Sequence, residues 1–516
     1  MPRVPVSAAM KYKGVALCLL PVVISATGSM VRLYAVDTNV KPSSATTDTV
    51  TQPTTDTGEN NGPTSPNRVL PGEPPLRKNY WIPAVEIPSF LLILNGADRL
   101  IYPHNVYDSN LTTFKNHFLH GPWQYDNDPF NINQVGHPYQ GATMFGFARS
   151  SGLNFWESLG YANAGSVLWK LGGETDAPSI NDQITTGQAG SILGEELYRM
   201  ASLVLERGGS QPDAWREWFA AFISPPTGLN RLIFGDRFKP VESRHPATFT
   251  RVELGATNTV SVRDSQGLSR PIAQNGATGD FSMAYGLPGK PGYRYIRPLD
   301  YFNFEIAGTA STTNSFPVIL TRGLLVGVPY EQDDHYRGVW GLYGSYDYMS
   351  PQIFRVSSTA ASLGTTGQWW LSRTVALQDT AMGGVGFGAA GVTSGEQSSN
   401  YHYGATPQGL LALRLILGDR MMLDTTAREY YVSNVGAPGN ATDNIARIDA
   451  SFMVRVWHRH AVGIQYVYTR RDADYAHLPS QVQAVSTIGL AYNFLGDRHF
   501  GAVAWGDNRV NDPDDY

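Results

Sequence analysis

Between residues 137 and 199 the chain places histidine, glutamate, tyrosine and arginine at spacings that could assemble a reactive site. His137 lies in Gly136-His137-Pro138-Tyr139-Gln140, and an imidazole is the side chain most easily poised near neutral pH as a general base or metal ligand. Glu174, Glu195, Tyr198 and Arg199 follow. If their helices cross, they bring carboxylate, hydroxyl and guanidinium groups to the imidazole, the set needed for acyl or glycosyl hydrolysis. His137, Glu174 and Glu195 are therefore catalytic candidates. A structural reading is as economical: a buried polar network fixing helix register, with Glu195 and Arg199 paired at a partly wet surface. Tyr139, Asn154, Ser179, Asn181, Asp182, Tyr198 and Arg199 are candidates for such a network or for binding, although Ser179, Asn181 and Asp182 suit a helix start whatever the function. Asp126-Asn127-Asp128 with Asn131 and Asn133 resembles an oxygen-rich calcium loop, but the glycine and closing bidentate glutamate are missing, so a turn held by Asp and Asn side chains is preferred. No nucleophile elbow, phosphate loop, zinc-binding helix or nucleotide fingerprint is present, and no metal or cofactor is expected.

These residues need helices to position them. Asn154 followed by Glu157 fits a reciprocal N-cap, and Gly172-Gly173 a stop, predicting a helix over 155–171. Pro178-Ser179 with Asp182 repeats the start signal and predicts a long helix over about 180–206. Ile192, Leu193, Leu197, Met200 and Val204 share one face of it, while Gln188, Ser191, Glu195, Arg199 and Ser202 lie on another. Gly187, Gly190, Ser191 and Gly194 cost helix propensity, which points to the close approach of a second helix. A shorter helix over Asp213–Phe222 stops at Pro225-Pro226. Residues 80–240 thus form a helical domain, with Phe90–Leu94 as its first buried run.

The chain has 516 residues, of which 42% are hydrophobic, 11% aromatic and 16% charged, a balance that excludes a wholly disordered protein. The net charge of −5 offers no basic field for nucleic acid. Residues 1–26 read as a signal peptide: basic residues, then the apolar run Gly14–Ala26, shorter than the about 20 residues a spanning helix needs. Cys18, the one cysteine, falls within it. Residues 27–79 read as a disordered linker, since 36–78 contain no Phe, Tyr or Trp and cannot bury enough apolar surface to offset ordering entropy.

From about residue 245 the period changes to two. Ile448, Ala450, Phe452, Val454 and Val456 alternate with Asp449, Ser451, Met453, Arg455 and Trp457, and Val462–Thr469 and Thr487–Phe494 repeat the pattern. Short connections (418–420, 459–460) alternate with long polar ones (434–446, 471–481), as in an outer-membrane barrel with brief periplasmic turns and longer outer loops. About twelve strand-like runs are counted to Phe494. The fold class is α+β: a helical unit followed by an antiparallel transmembrane β-barrel over 241–516, with a short C-terminal tail in which Phe500–Trp505 is an extra edge segment or a docked piece. Arg414, Asp424, Arg428, Asp449 and Arg455 are expected in a polar lumen or near a rim.

Trp123 with Asp126, Asp128, Phe130 and Asn133, then His137-Pro138-Tyr139-Gln140-Gly141, Asn154-Phe155-Trp156, Gly165-Ser166, Trp169, Glu174, Pro178-Ser179, Asn181-Asp182, Gly194-Glu195, Tyr198-Arg199 and Asn230-Arg231 form an ordered series. By that series the chain resembles the bacterial family called domain of unknown function 3943 (DUF3943), exported proteins with a helical unit ahead of a barrel. Arg297-Pro298, Asp300-Tyr301-Phe302 and Tyr346-Asp347-Tyr348 extend the likeness into the barrel. Lys170 departs from it, standing where an acid is expected after the tryptophan. The resemblance implies architecture and address, not an activity. The function expected is an outer-membrane barrel serving envelope structure or small-solute passage, its helical unit beneath the barrel or plugging it. A hydrolase acting on lipid or glycan through His137 with Glu174 or Glu195 is the alternative. Expected partners are outer-membrane lipid, the barrel assembly machinery and an unidentified periplasmic protein, with no nucleic acid.

Overall fold

The computed structural model describes residues 78–504 apart from 102–105, 127, 208–211, 236–245, 266–274, 291, 311–314, 334, 352, 393–400, 438–439 and 477–478. The expected signal peptide and nearly all of the linker lie outside the described residues.

Local signals place most helix ends. Helices α1 (Trp81–Ile101), α2 (Leu111–His120), α3 (His137–Ser150) and α4 (Phe155–Gly172) are followed by α5 (Gly190–Glu206), α6 (Ala214–Ile223) and α7 (Pro225–Phe234). The Asn154 side chain accepts from the Glu157 N–H while Glu157 accepts from the Asn154 N–H, so α4 starts on the expected capping box. The helix expected over 180–206 is not uniform: a single turn (Ile180–Asp182) passes into a π-helical stretch (Gln183–Ala189) before α5 begins. Close approach then occurs where the glycines allow it. A Cβ on Gly190 would stand 2.7 Å from Gly141 Cα, backbone against backbone, and α3 and α5 cross there. The polar face of α5 is a correction to the sequence reading: Ser191, Glu195, Arg199 and Ser202 are buried, not at a wet surface.

Strands β1 (Thr248–Asp264), β2 (Asn275–Tyr285), β3 (Phe302–Ala310), β4 (Ser315–Gln332), β5 (Tyr336–Met349) and β6 (Phe354–Ser372) continue into β7 (Val375–Val392), β8 (Tyr401–Leu417), β9 (Met421–Val432), β10 (Ala441–Trp457), β11 (His460–Tyr475) and β12 (Gln481–Leu495). Each pairs antiparallel with its neighbours in sequence, and β1 pairs with β12, closing a 12-strand barrel. The lower rim, where β1 starts and β12 ends, carries the short connections 333–335, 373–374, 418–420 and 458–459, with 286–301 as a long exception; at the upper rim 311–314 and 350–353 are short as well, so the expected alternation of short and long holds only in part. The loops expected at 434–446 and 471–481 are shorter, because β10 and β11 extend into them. Their polar residues are paired inside the wall: Arg471 Nε lies 2.5 Å from Asp443 Oδ1, and both side chains are buried.

Side-chain parity separates inside from outside. Arg251, Asp280, Glu305, Arg414, Asp424, Arg428, Arg447 and Asp449 line one lumenal cavity of about 220 Å³. Tyr430 of β9 reaches Asp347 of β5 across the lumen at 2.8 Å. Arg455 bonds the Asp419 carboxylate and carbonyl at the lower rim. Residues of the other parity, among them Val252, Leu254, Ile448, Val462, Ile464 and Leu490, are exposed on the outer wall.

The helical unit sits on that outer wall. Met283 and Tyr285 of β2, Phe304 of β3, Tyr346 and Tyr348 of β5 and Tyr403 of β8 have outward parity, and they share one hydrophobic cluster with Ile87, Phe130, Phe145, Ile192 and Met200 of the helical unit. Outward-facing Gly344 makes room for the contact, since a Cβ there would meet Ile192 Cδ1 at 3.1 Å. The seat runs the height of the barrel. At the lower rim Arg199 Nη2 donates to the Pro298 carbonyl at 2.8 Å, and at the upper rim the Tyr125 hydroxyl donates to the Gly436 carbonyl in the β9–β10 connection. Neither placement expected from the sequence, beneath the barrel or inside it, is the one found. The lumen is occupied by the barrel's own side chains, while the aromatic stripe over β2–β8 offers an apolar seat outside.

Candidate functional site: two buried charge clusters

The first cluster lies where α3, α4 and the Ile180–Asp182 turn meet. Lys170, in the last turn of α4, is 2% exposed. Its Nζ stands 2.5 Å from Asp182 Oδ2, 2.6 Å from Glu174 Oε2 and 3.9 Å from Asp126 Oδ2. The second Glu174 oxygen accepts from Trp169 Nε1 at 2.7 Å. His137 opens α3 with Nε2 at 3.2 Å from Asp182 Oδ2 and Nδ1 at 3.2 Å from Gln140 Oε1. With a carboxylate oxygen at ion-pair distance from one ring nitrogen and an amide oxygen at the other, the surroundings favour the imidazolium over a base with a lone pair to offer. Asn181 Nδ2 contacts Asp126 Oδ1 (3.0 Å), Asp182 Oδ1 (2.9 Å) and the Tyr403 hydroxyl (2.9 Å), and Asn133 Nδ2 also reaches Tyr403, at 3.1 Å. The cluster is thereby tied to the barrel wall.

The second cluster centres on Glu195 of α5. Its Oε2 accepts from Arg149 Nε at 2.6 Å, and its Oε1 from Arg149 Nη2 at 3.2 Å and Arg199 Nε at 2.8 Å. The Arg149 guanidinium also lies 4.7 Å from the centre of the Tyr198 ring. Arg199 continues to Asp300 Oδ1 at 3.1 Å in the 286–301 connection. Burial alone would raise the Asp300 carboxyl, but the guanidiniums of Arg199 and Arg297 and the backbone N–H groups of Arg297 and Ile296 hold it below its ordinary value.

Thus the structure divides the expected network. His137, Glu174, Ser179, Asn181 and Asp182 come together around Lys170, whereas Glu195, Tyr198 and Arg199 gather around Arg149. Asn154 is the cap of α4, and the Tyr139 carbonyl accepts from Thr143 Oγ1 within α3. Ser179 Oγ caps the Ile180–Asp182 turn and donates to Asn181 Oδ1 at 2.9 Å, so it is not aligned on the imidazole. Among the described residues no group of His, Cys, Asp and Glu is arranged to hold a metal ion. Sequence reasoning missed the two organising cations. Lys170 has a signal, its position four residues before Glu174. Arg149 has none, because Glu195 comes from another helix.

A closed antiparallel barrel with a charged lumen and an apolar outer wall is a barrel of the outer-membrane class. Residues 122–226 match the family described as "Domain of unknown function (DUF3943)", a stretch that contains both clusters except Asp300 and its neighbours. No curated protein matches the chain. Among solved structures it is similar to the outer-membrane channel DcaP of Acinetobacter baumannii, at 9% identity over 49% of this chain and 99% of that one, with a TM-score of 0.23. It is similar to the toluene transporter TodX of Pseudomonas putida, at 9% identity over 52% and 93%, with a TM-score of 0.21. The translocator domain of the autotransporter NalP from Neisseria meningitidis gives 17% identity over 52% and 97%, with a TM-score of 0.19. Likeness at this level carries no argument about function.

Proposed function

We propose that the protein is a structural component of the outer membrane: a barrel with a stoppered lumen whose role is to carry the helical unit on its wall. The observation that supports this reading is the narrowing of the lumen from both ends. From below, the segment after β12 turns inward. The Val503 carbonyl accepts from Gln368 Nε2 at 2.7 Å and Trp370 Nε1 at 3.0 Å, and the Gly501 carbonyl accepts from Gln378 Nε2 at 2.7 Å. Phe500 is fully buried there with Phe249, Met422 and Leu495, which supports a docked tail. From above, Leu320, Phe354, Tyr430, Ile445 and Val485 pack together across the lumen, while beside them the cavity continues to Thr259, Asn275 and Thr309 at the upper ends of β1–β3. Only larger barrels keep an aqueous channel once their side chains are in place. The geometry lends the hydrolase alternative nothing, since the carboxylates of Glu174 and Glu195 are each engaged by two donor side chains and the lumenal cavity is not lined by either cluster.

The test is conductance in planar bilayers, using full-length protein whose mobility in SDS shifts on boiling and which fractionates with outer membranes. No steady conductance is expected from the intact protein. Stepwise ion currents at modest voltage would overturn the proposal and restore solute passage.

A further inference from the structure

The helical unit is built inside out by the standard of a water-soluble domain. The charges of its two clusters are interior: Glu195 and Asp182 are 0% exposed and Lys170 2%, while its exposed charges, among them Lys115, Asp176 and Asp213, lie on α2 and in the connections. The outward faces of α1, α6 and α7 are apolar: Leu92, Trp218 and Leu232 are each 74% exposed, with Ile93, Phe222 and Ile233 beside them, so that of the run Phe90–Leu94 expected to be buried only Leu91 is fully so. Soluble monomers rarely expose apolar patches of this extent, whereas hydrocarbon requires polar groups to be satisfied internally and tolerates apolar ones outside.

Position points the same way. The unit contacts the barrel from the lower-rim connection at Pro298 to the upper-rim connection at Gly436, so whatever surrounds the outer wall of the barrel also surrounds it. The apolar surface is continuous in kind with the uncovered wall, where Leu254, Val462 and Leu490 are exposed. Helix α1, with 21 residues, is about 30 Å long at 1.5 Å per residue, which matches the roughly 30 Å of a bilayer's hydrocarbon. No helix of the described residues is long and apolar enough to cross a membrane by itself. Glu86, Asn95, Asp98 and Arg99 interrupt the apolar run of α1; Asn95 and Arg99 point into the bundle and donate to the carbonyls of Gly173, Tyr107 and Ser109, and the Glu86 carboxylate oxygens are buried as well. A helix with one face on protein needs only its other face to be apolar. Helix α6 packs on α5 beyond Arg199, at the lower rim, and there Trp215 and Trp218 stand beside Arg216, the composition of a membrane interface.

We propose that the helical unit is embedded in the bilayer beside the barrel, with the outward faces of α1, α6 and α7 in contact with lipid acyl chains. This rests on the reading of the barrel as membrane-spanning.

The experiment is site-directed spin labelling of the full chain in phosphatidylcholine–phosphatidylglycerol vesicles. In a Cys18→Ser background, single variants Leu92→Cys, Trp218→Cys and Leu232→Cys report on the unit, Leu490→Cys on the bare wall, and Asn434→Cys on the aqueous upper-rim connection. Each is used only if its SDS mobility still shifts on boiling, and three sites guard against the failure of one. Collision with dissolved oxygen and with nickel-EDTA-diacetate is read by power saturation. The expected result is loss of nickel accessibility at Leu92 and Leu232 to the level of Leu490, with high oxygen collision. Nickel accessibility like that of Asn434 at the helix sites, with Leu490 protected, would overturn this inference while leaving the barrel in the membrane. Nickel accessibility at Leu490 as well would overturn the membrane reading itself. Dipolar broadening at Trp218 that vanishes on dilution with unlabelled protein would assign that face to a second copy, against the proposal.

Discussion

Glu195→Gln keeps the shape of the side chain and removes the charge that two guanidiniums share. Arg149 then retains the Leu153 carbonyl at 2.9 Å and the Tyr198 ring, while Arg199 retains Asp300. Both arginines have side chains 5% exposed, so water does not replace the lost partner. Removing one member of a buried ion pair costs about 3–5 kcal/mol. The surviving Arg199–Asp300 pair places this case near about 3 kcal/mol, which is on the order of 100-fold in the opening equilibrium, a tenfold change being about 1.4 kcal/mol. Hydrogen exchange in detergent reads it. Amides of α3 and α5 should lose about two orders of magnitude of protection, while those of β10–β12, remote from the cluster, stay unchanged as an internal reference. Replacing Arg149, Glu195 and Arg199 together by apolar side chains of similar size should recover part of the loss, because no buried charge of the trio is then left unpaired and Asp300 keeps the Arg297 guanidinium and two backbone N–H groups. Unchanged exchange in α3 and α5 of Glu195→Gln would refute the reasoning, since it would mean that the carboxylate is not what holds the two arginines.

Lys170→Met leaves Asp182 and Glu174 without their shared cation and should lower unfolding stability by about 3–5 kcal/mol, read as early loss of α4 protection. His137→Ala should weaken assembly less and abolish no activity, and an activity lost with the fold intact would revive a catalytic histidine. Gly190→Ala drives a Cβ against Gly141 backbone and should cost about 1–3 kcal/mol as overpacking, measured as a lower thermal midpoint. Asp300 titrates below its ordinary value, so its contribution is complete above the unfolded carboxylate range near about 4 and fades as pH falls through the lower folded value. Asp300→Asn should remove that acid step from the protease sensitivity of the 286–301 connection.

The sequence carried the elements better than their placement. Asn154 and Glu157 are adjacent enough to announce a cap, and period-two alternation over 448–494 announces a wall whose two faces differ. Polarity misled where a partner strand supplies the compensation: Asp443 and Arg471 look like loop residues until β10 and β11 bring them within 2.5 Å. The π-helical stretch at 183–189 is not legible because Thr185, Thr186 and Gly187 lower helix propensity without distinguishing a π turn from a weak α-helix. The outer seat was equally hidden. Tyr346, Tyr348 and Tyr403 read as outward aromatics of a barrel wall, and that parity is the same whether the neighbour is lipid or another part of the chain. Only the fold of 122–234 distinguishes the two.

That ambiguity bears on what holds the assembly together. Surrounded by acyl chains, apolar contact between the helical unit and the wall gains little over contact with lipid, since lipid tails are as apolar as leucine. Adhesion then depends on close packing and on hydrogen bonds that lipid cannot supply. The interface has both, and it has them at its two ends. Near the upper rim the Tyr401 and Tyr403 hydroxyls meet Asn133 and Asn181, and at the lower rim Arg199 meets Asp300 and Pro298. Each polar attachment continues directly into a charge cluster, the first through Asn181 to Asp182 and Lys170, the second through Arg199 to Glu195 and Arg149. The residues that looked like a dispersed active site are, in this arrangement, the anchors of the two clamps that fasten the helices to the barrel.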